Sequence, residues 1–153
     1  MRPDVEEFID AVLDEADCID DLVDVVREQR EVMKSRDATG VDDLLKETRE
    51  IFFDLETLES QRGDLAKKLA ARLGGEPRAA SLSVLMEEDE RVLFNSAADR
   101  LTQSVFVLKS EMIILSGLID QNEKYSAMLL SEWHRLMGEI PAGGQAGATD
   151  FRG

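Results

Sequence analysis

The sequence predicts an all-α protein: an elongated antiparallel helical bundle or coiled coil of three long helices with one short connecting helix. Three observations carry that expectation. Apolar residues from Phe94 to Ile140 keep a 3-4-3-4 spacing, running through Phe94, Ala98, Leu101, Val105, Leu108, Met112, Leu115 and Ile119 and then Leu129, Trp133, Leu136 and Ile140. Only a period of 3.5 residues holds such a seam on one helix face. Two earlier segments repeat apolar residues at intervals of seven. Finally, aromatics are sparse at 5% while charged residues reach 33% and hydrophobic ones 43%, a balance that suits amphipathic helices with solvated outer faces and argues against wholesale disorder.

The first helix is expected over about residues 4–35, with Pro3 in its opening turn. Val5, Val12, Ile19, Val26 and Met33 recur at sevens, and Phe8, Ile9, Ala16, Leu22 and Val23 widen the stripe. The segment Asp37, Ala38, Thr39, Gly40 breaks the pattern, and Thr39 followed by Asp42 has the form of a helix cap. A second helix then carries Leu44, Ile51, Leu58 and Leu65, with Val41, Leu55 and Leu69 offset, and stops at Gly74 and Gly75 with Pro77 just beyond. Gly63 inside this helix implies close backbone packing there, since glycine otherwise costs about 1 kcal/mol against alanine. A short helical piece is expected from Ala79 to Met86. The acidic run Glu87, Glu88, Asp89, Glu90 suits the positive end of the long helix that follows. At ~1.5 Å per residue, a helix reaching Ile140 would run roughly 70 Å.

Short connections make the first two helices a hairpin and return the long helix along it. The lengths then disagree: overlap runs out near Asn122, and the large side chains that resume at Tyr125, Met128, Leu129, Trp133, Leu136 and Ile140 project past the turn of the hairpin. Asn122 and Ser126 are the two interruptions of the seam. Residues 1–140 are expected to form one domain, with a mobile, Gly- and Ala-rich tail over 141–153. Such a projecting face bends back, dimerises or takes up an amphipathic helix from another chain.

Composition excludes several functions. The net charge is -15, and residues 1–25 hold ten carboxylates against Arg2 alone, which opposes both nucleic-acid phosphates and anionic membrane surfaces. The lone Cys18, read as a small core residue, offers no internal disulfide and fits a reducing, cytoplasmic location. The opening Arg2, Pro3, Asp4 is no secretion signal, and no stretch reads as a membrane span. One cysteine and one histidine rule out zinc and Cys-His catalysis, and Ser131 stands where a di-metal bundle would need glutamate before His134. His134 also lacks the neighbouring lysine of a phosphotransfer helix, because Met137 occupies that place, so it is expected on the solvated side of its helix. Acid pairs such as Glu6 with Asp10 have no apolar concavity to shift them and read as solvated charge. No catalytic, metal or cofactor site is therefore expected, and the protein does not read as an enzyme.

The stretch Gln29–Gly74 resembles the flagellar export chaperones of the FlgN type. Glu31, Val32 and Met33 precede Asp37; Leu44 and Leu45 follow; Arg49 stands at a basic position; Leu58, Glu59, Arg62, Leu65, Leu73 and Gly74 complete the pattern. Asn122 with Leu129 and Leu130 resembles the late asparagine and paired leucines of that family, and Phe151, Arg152, Gly153 its aromatic-to-glycine ending. The resemblance implies a cytoplasmic chaperone for hook-associated proteins of the hook-filament junction. It would bind the C-terminal amphipathic helix of its client, prevent premature assembly and deliver the client to the export gate, with gate or ATPase components as further partners. The residues expected to face the client are Ile119, Asn122, Tyr125, Leu129, Trp133 and Leu136, Asn122 setting register. A monomer or weak homodimer is expected. The competing expectation is a structural coiled-coil adaptor or scaffold that self-associates through the long helix.

Overall fold

A computed structural model describes residues 1–35 and 39–120, together with His134. Among the described residues it contains four helices: α1 (Pro3–Ser35), α2 (Thr39–Leu73), α3 (Ala79–Leu85) and α4 (Glu88–Asp120). Each begins and ends within a few residues of its expected boundary, apart from the end of the long helix: the expected continuation over 121–140 and the expected tail over 141–153 lie outside the described residues, and of these only His134 is described.

α1 is the organising element. Asp4 and Glu6 in its first turn and Lys34 in its last suit the helix dipole. Its heptad line is deeply buried, with Val5, Val12, Ile19 and Val26 at 1% exposure or less. α2 packs along one side of it and α4 along another, while the backbones of α2 and α4 approach each other at most locally. The side-chain links fix the directions. Gln29 donates to the Thr48 hydroxyl at 2.6 Å and Arg62 to the Glu15 carboxylate at 2.6 Å, so α2 runs antiparallel to α1. Arg2 meets Glu90, Phe8 stacks on Phe94 with ring centroids 5.5 Å apart, and Arg30 reaches Glu111 at 2.7 Å, so α4 runs parallel to α1.

The seam of α4 is buried as its spacing demands: Phe94, Ala98, Leu101, Val105, Leu108, Met112 and Leu115 all lie in the core. The stripe of α2 is centred differently from the heptad expectation. Leu55 and Leu69, read as offset positions, are its deepest leucines and share the core with Leu45, Phe52 and Ala66, whereas Ile51, Leu58 and Leu65 are partly buried on its flank. A helix with one main neighbour needs a narrow stripe, and the residues at sevens form its edge.

Gly63 also departs from expectation. A Cβ built there meets nothing within 4 Å, so no close approach of backbone explains the glycine. The close approach occurs at Gly75, where a Cβ would lie 2.5 Å from Leu85 Cδ1. Gly74, at φ 83°, supplies the left-handed turn that ends α2, and the amides of Gly74 and Gly75 both donate to the Ala70 carbonyl. The chain then drops into α3, whose Leu82 is buried, and re-enters the bundle at α4. There Glu90 accepts from the Glu87 amide at 2.9 Å, the glutamate half of a capping box at the start of the long helix.

Candidate docking surface

The register between α1 and α4 determines which parts of α4 the bundle can cover. Arg2 to Glu90 fixes it at one end; Arg27 and Arg30, converging on Glu111 at 3.4 and 2.7 Å, fix it at the other. Arg100 bridges Asp17 and Asp20 between them. Carried forward at about 1.5 Å per residue on both helices, this register sets Ser35, the end of α1, level with about Ser116 to Gly117 of α4. Core contact along α4 extends to Leu115, which is fully buried.

Of the residues expected to face a client, Ile119 falls within the backbone of α4, but its side chain lies outside what the structure describes. Asn122, Tyr125, Leu129, Trp133 and Leu136 lie outside the described residues altogether. His134 is helical and exposed, in agreement with its expected solvated position.

The described part of α4 carries an apolar face that the seam analysis did not single out. Phe106 and Ile113 are more than 60% exposed and Ile114 nearly half, on the side of α4 turned away from its buried seam. The signal was present in the sequence as a shortage of charge: between Arg100 and Asp120 only Lys109 and Glu111 are charged, in a chain where one residue in three is. By length and composition alone Glu88–Leu118 is apolar enough to cross a membrane, but its inner stripe is spent on α1. Beside the outer face, α1 and α4 leave a groove of about 390 Å³ with Val23 and Val107 on its floor and Asp20 and Asp24 on its α1 rim.

Electrostatics elsewhere serve cohesion. The Arg2 side chain and backbone amide donate to Glu90, which has no exposed surface, and with the Glu87 amide they hold its carboxyl down at about 2. The Arg72 guanidinium likewise lowers the Asp4 carboxyl. Glu15 is 3% exposed, and burial raises its carboxyl against the opposing pull of Arg62. Burial, reinforced by Asp54 and other nearby carboxylates, pushes the Cys18 thiol up to about 11, so it stays protonated and inert. Among the described residues no group of three or more His, Cys, Asp and Glu side chains is placed to hold a metal ion.

An exposed apolar strip of this kind has the chemistry of a protein–protein contact. The family model described as FlgN protein matches residues 1–136. No curated protein sequence and no solved structure gives a significant match. FlgN proteins form a chaperone family, not an enzyme family; they are soluble, cytoplasmic and bind flagellar proteins. With that match running from the start of α1 past the end of the described bundle, the chain belongs to the FlgN family of flagellar export chaperones.

Proposed function

We propose that this protein is a cytoplasmic chaperone of the flagellar type III export system that binds the C-terminal amphipathic helix of hook-filament junction proteins. It keeps that helix from assembling prematurely and delivers its owner to the export gate or the associated ATPase components. The observation that carries the reading is the register of α4: α1 ends level with about Gly117, and the apolar positions Ile119, Tyr125, Leu129, Trp133 and Leu136 all follow that point in sequence. An assembly helix removed from its polymer exposes an apolar face, and a second amphipathic helix covers it. Full burial of several large side chains contributes a gross gain near ~10 kcal/mol before association entropy is subtracted, a scale suited to reversible capture. Asn122 sets the register of that pairing. Residues 1–140 work as one domain, monomeric or weakly dimeric, and 141–153 as a tail outside the pairing.

Co-purification with hook-filament junction proteins tests this reading. Leu129→Asp and Trp133→Asp are each expected to abolish the complex while circular dichroism keeps its helical signal. Undiminished complex in both variants would show that the client binds elsewhere.

A further inference from the structure

The outer face of α4 lies before the client-facing positions and belongs wholly to the described bundle. Phe106, Ile113 and Ile114 are 64%, 63% and 47% exposed. With Ser110 between them they fall at i, i+4, i+7 and i+8, the spacing of one helix face. The two charged residues nearby leave that face clear. Glu111 is taken up by Arg27 and Arg30, and Lys109 lies about 80° from the middle of the face by helical geometry. An apolar strip of this kind on an otherwise highly charged molecule marks an interaction site.

Charge selects the occupant. The groove beside the strip has an apolar floor, Val23 and Val107, and a charged rim of Asp20, Asp24, Arg27 and Arg100. Its two cations are already engaged: Arg100 by Asp17 and Asp20, Arg27 by Glu111. Asp24 stands exposed on the rim, with Asp21 and Glu28 on the exposed side of the same helix. A second copy would bring an identical acidic rim and another net -15, and an anionic membrane surface would be repelled in the same way. We propose that the face Phe106–Ile114, with the adjoining α1–α4 groove, docks an amphipathic helix of a partner protein whose apolar stripe is flanked by lysine or arginine. The apolar stripe covers Phe106, Ile113 and Ile114 while the basic flank lies along Asp24 and the exposed Asp21 and Glu28 beside it, where opposite charge speeds encounter and fixes orientation. This surface is separate from the Ile119–Leu136 positions and stands whether or not a client binds there.

The test uses the full chain and a fluorescein-labelled synthetic helix with a leucine stripe flanked by lysines, beside a twin flanked by glutamates, with anisotropy as readout. The lysine helix is expected to bind saturably. The triple variant Phe106→Ser, Ile113→Ser, Ile114→Ser should weaken it about tenfold or more with helicity unchanged, since all three side chains are exposed. Asp24→Lys should weaken it about threefold. Leu129→Asp combined with Trp133→Asp should leave it unaltered, which separates this surface from the proposed client site. Equal affinity for the glutamate helix, wild-type binding by the triple serine variant, or loss only in the Leu129/Trp133 variant would overturn the proposal. So would sedimentation of the wild type but not the triple variant as a dimer, or flotation of the wild type with phosphatidylglycerol vesicles.

Discussion

Glu15 and Arg62 form an ion pair with both side chains at 10% exposure or less, in the α1–α2 interface where apolar contact would serve cohesion as well. Breaking such a pair from one side strands a charge, whereas removing both need cost nothing. Arg62→Leu alone is therefore expected to destabilise the protein by about 3–5 kcal/mol, and Glu15→Leu with Arg62→Leu to recover most of that, as measured by urea denaturation. Glu90 acts with opposite sign in pH. Its carboxyl is held from 4.5 down to about 2 in the folded chain by Arg2 and the Glu87 amide, so its stabilisation is complete above the unfolded value and fades as pH falls from 4.5 through 2. Glu90→Gln should lower the melting temperature at pH 7, and the gap to wild type should close across that acid window. Neither pair was legible in the sequence, because both join residues 47 or more positions apart and depend on register between helices. Cys18 was legible as core because its neighbours on the stripe, Ile19 and Leu22, gave its surroundings away.

At the level of helices, periodicity located α1, α2, α3 and the start of α4, since a 3.5-residue repeat leaves little choice of element or of buried face. It was less informative about neighbours. A repeat states which side of a helix is covered but not how many partners cover it, so the stripe of α2 was centred on Leu44, Ile51, Leu58 and Leu65 rather than on Phe52, Leu55, Ala66 and Leu69. The outer face of α4 escaped for the same reason: attention to the seam passes over apolar residues out of phase with it. Gly63 is the other misreading, and it yields a prediction. With open space where a Cβ would stand, inside a continuous helix, Gly63→Ala should stabilise the protein by about 0.5–1 kcal/mol through lower backbone entropy of the unfolded chain, measurable as a raised denaturation midpoint. A loss of stability would mean that the glycine serves a contact absent from the free bundle.

For the whole molecule, the determining relation is between a hairpin that stops and a sequence that keeps its apolar spacing beyond it. α1 ties α2 to one side and α4 to another, and the ion pairs from Arg2–Glu90 to Arg30–Glu111 lock α4 in a register that brings the end of α1 to about Gly117. The acidic charge on α1 opposes the approach of an identical copy and, in the proposed docking, favours encounter with a basic partner. The family and the fold were legible in the sequence, because leucines and charges at helical spacing carry both; the proposed client site rests on a spacing alone, since positions after Asp120 acquire meaning from what they pair with. Hydrogen–deuterium exchange on the full chain, alone and with the C-terminal helix of a hook-filament junction protein, tests that relation most directly. Amides from Ile119 to Leu136 should gain protection on binding, while those of Val5 to Met33 stay as protected as before. Protection gained only within α1 and α2, with none after Ile119, would contradict the account.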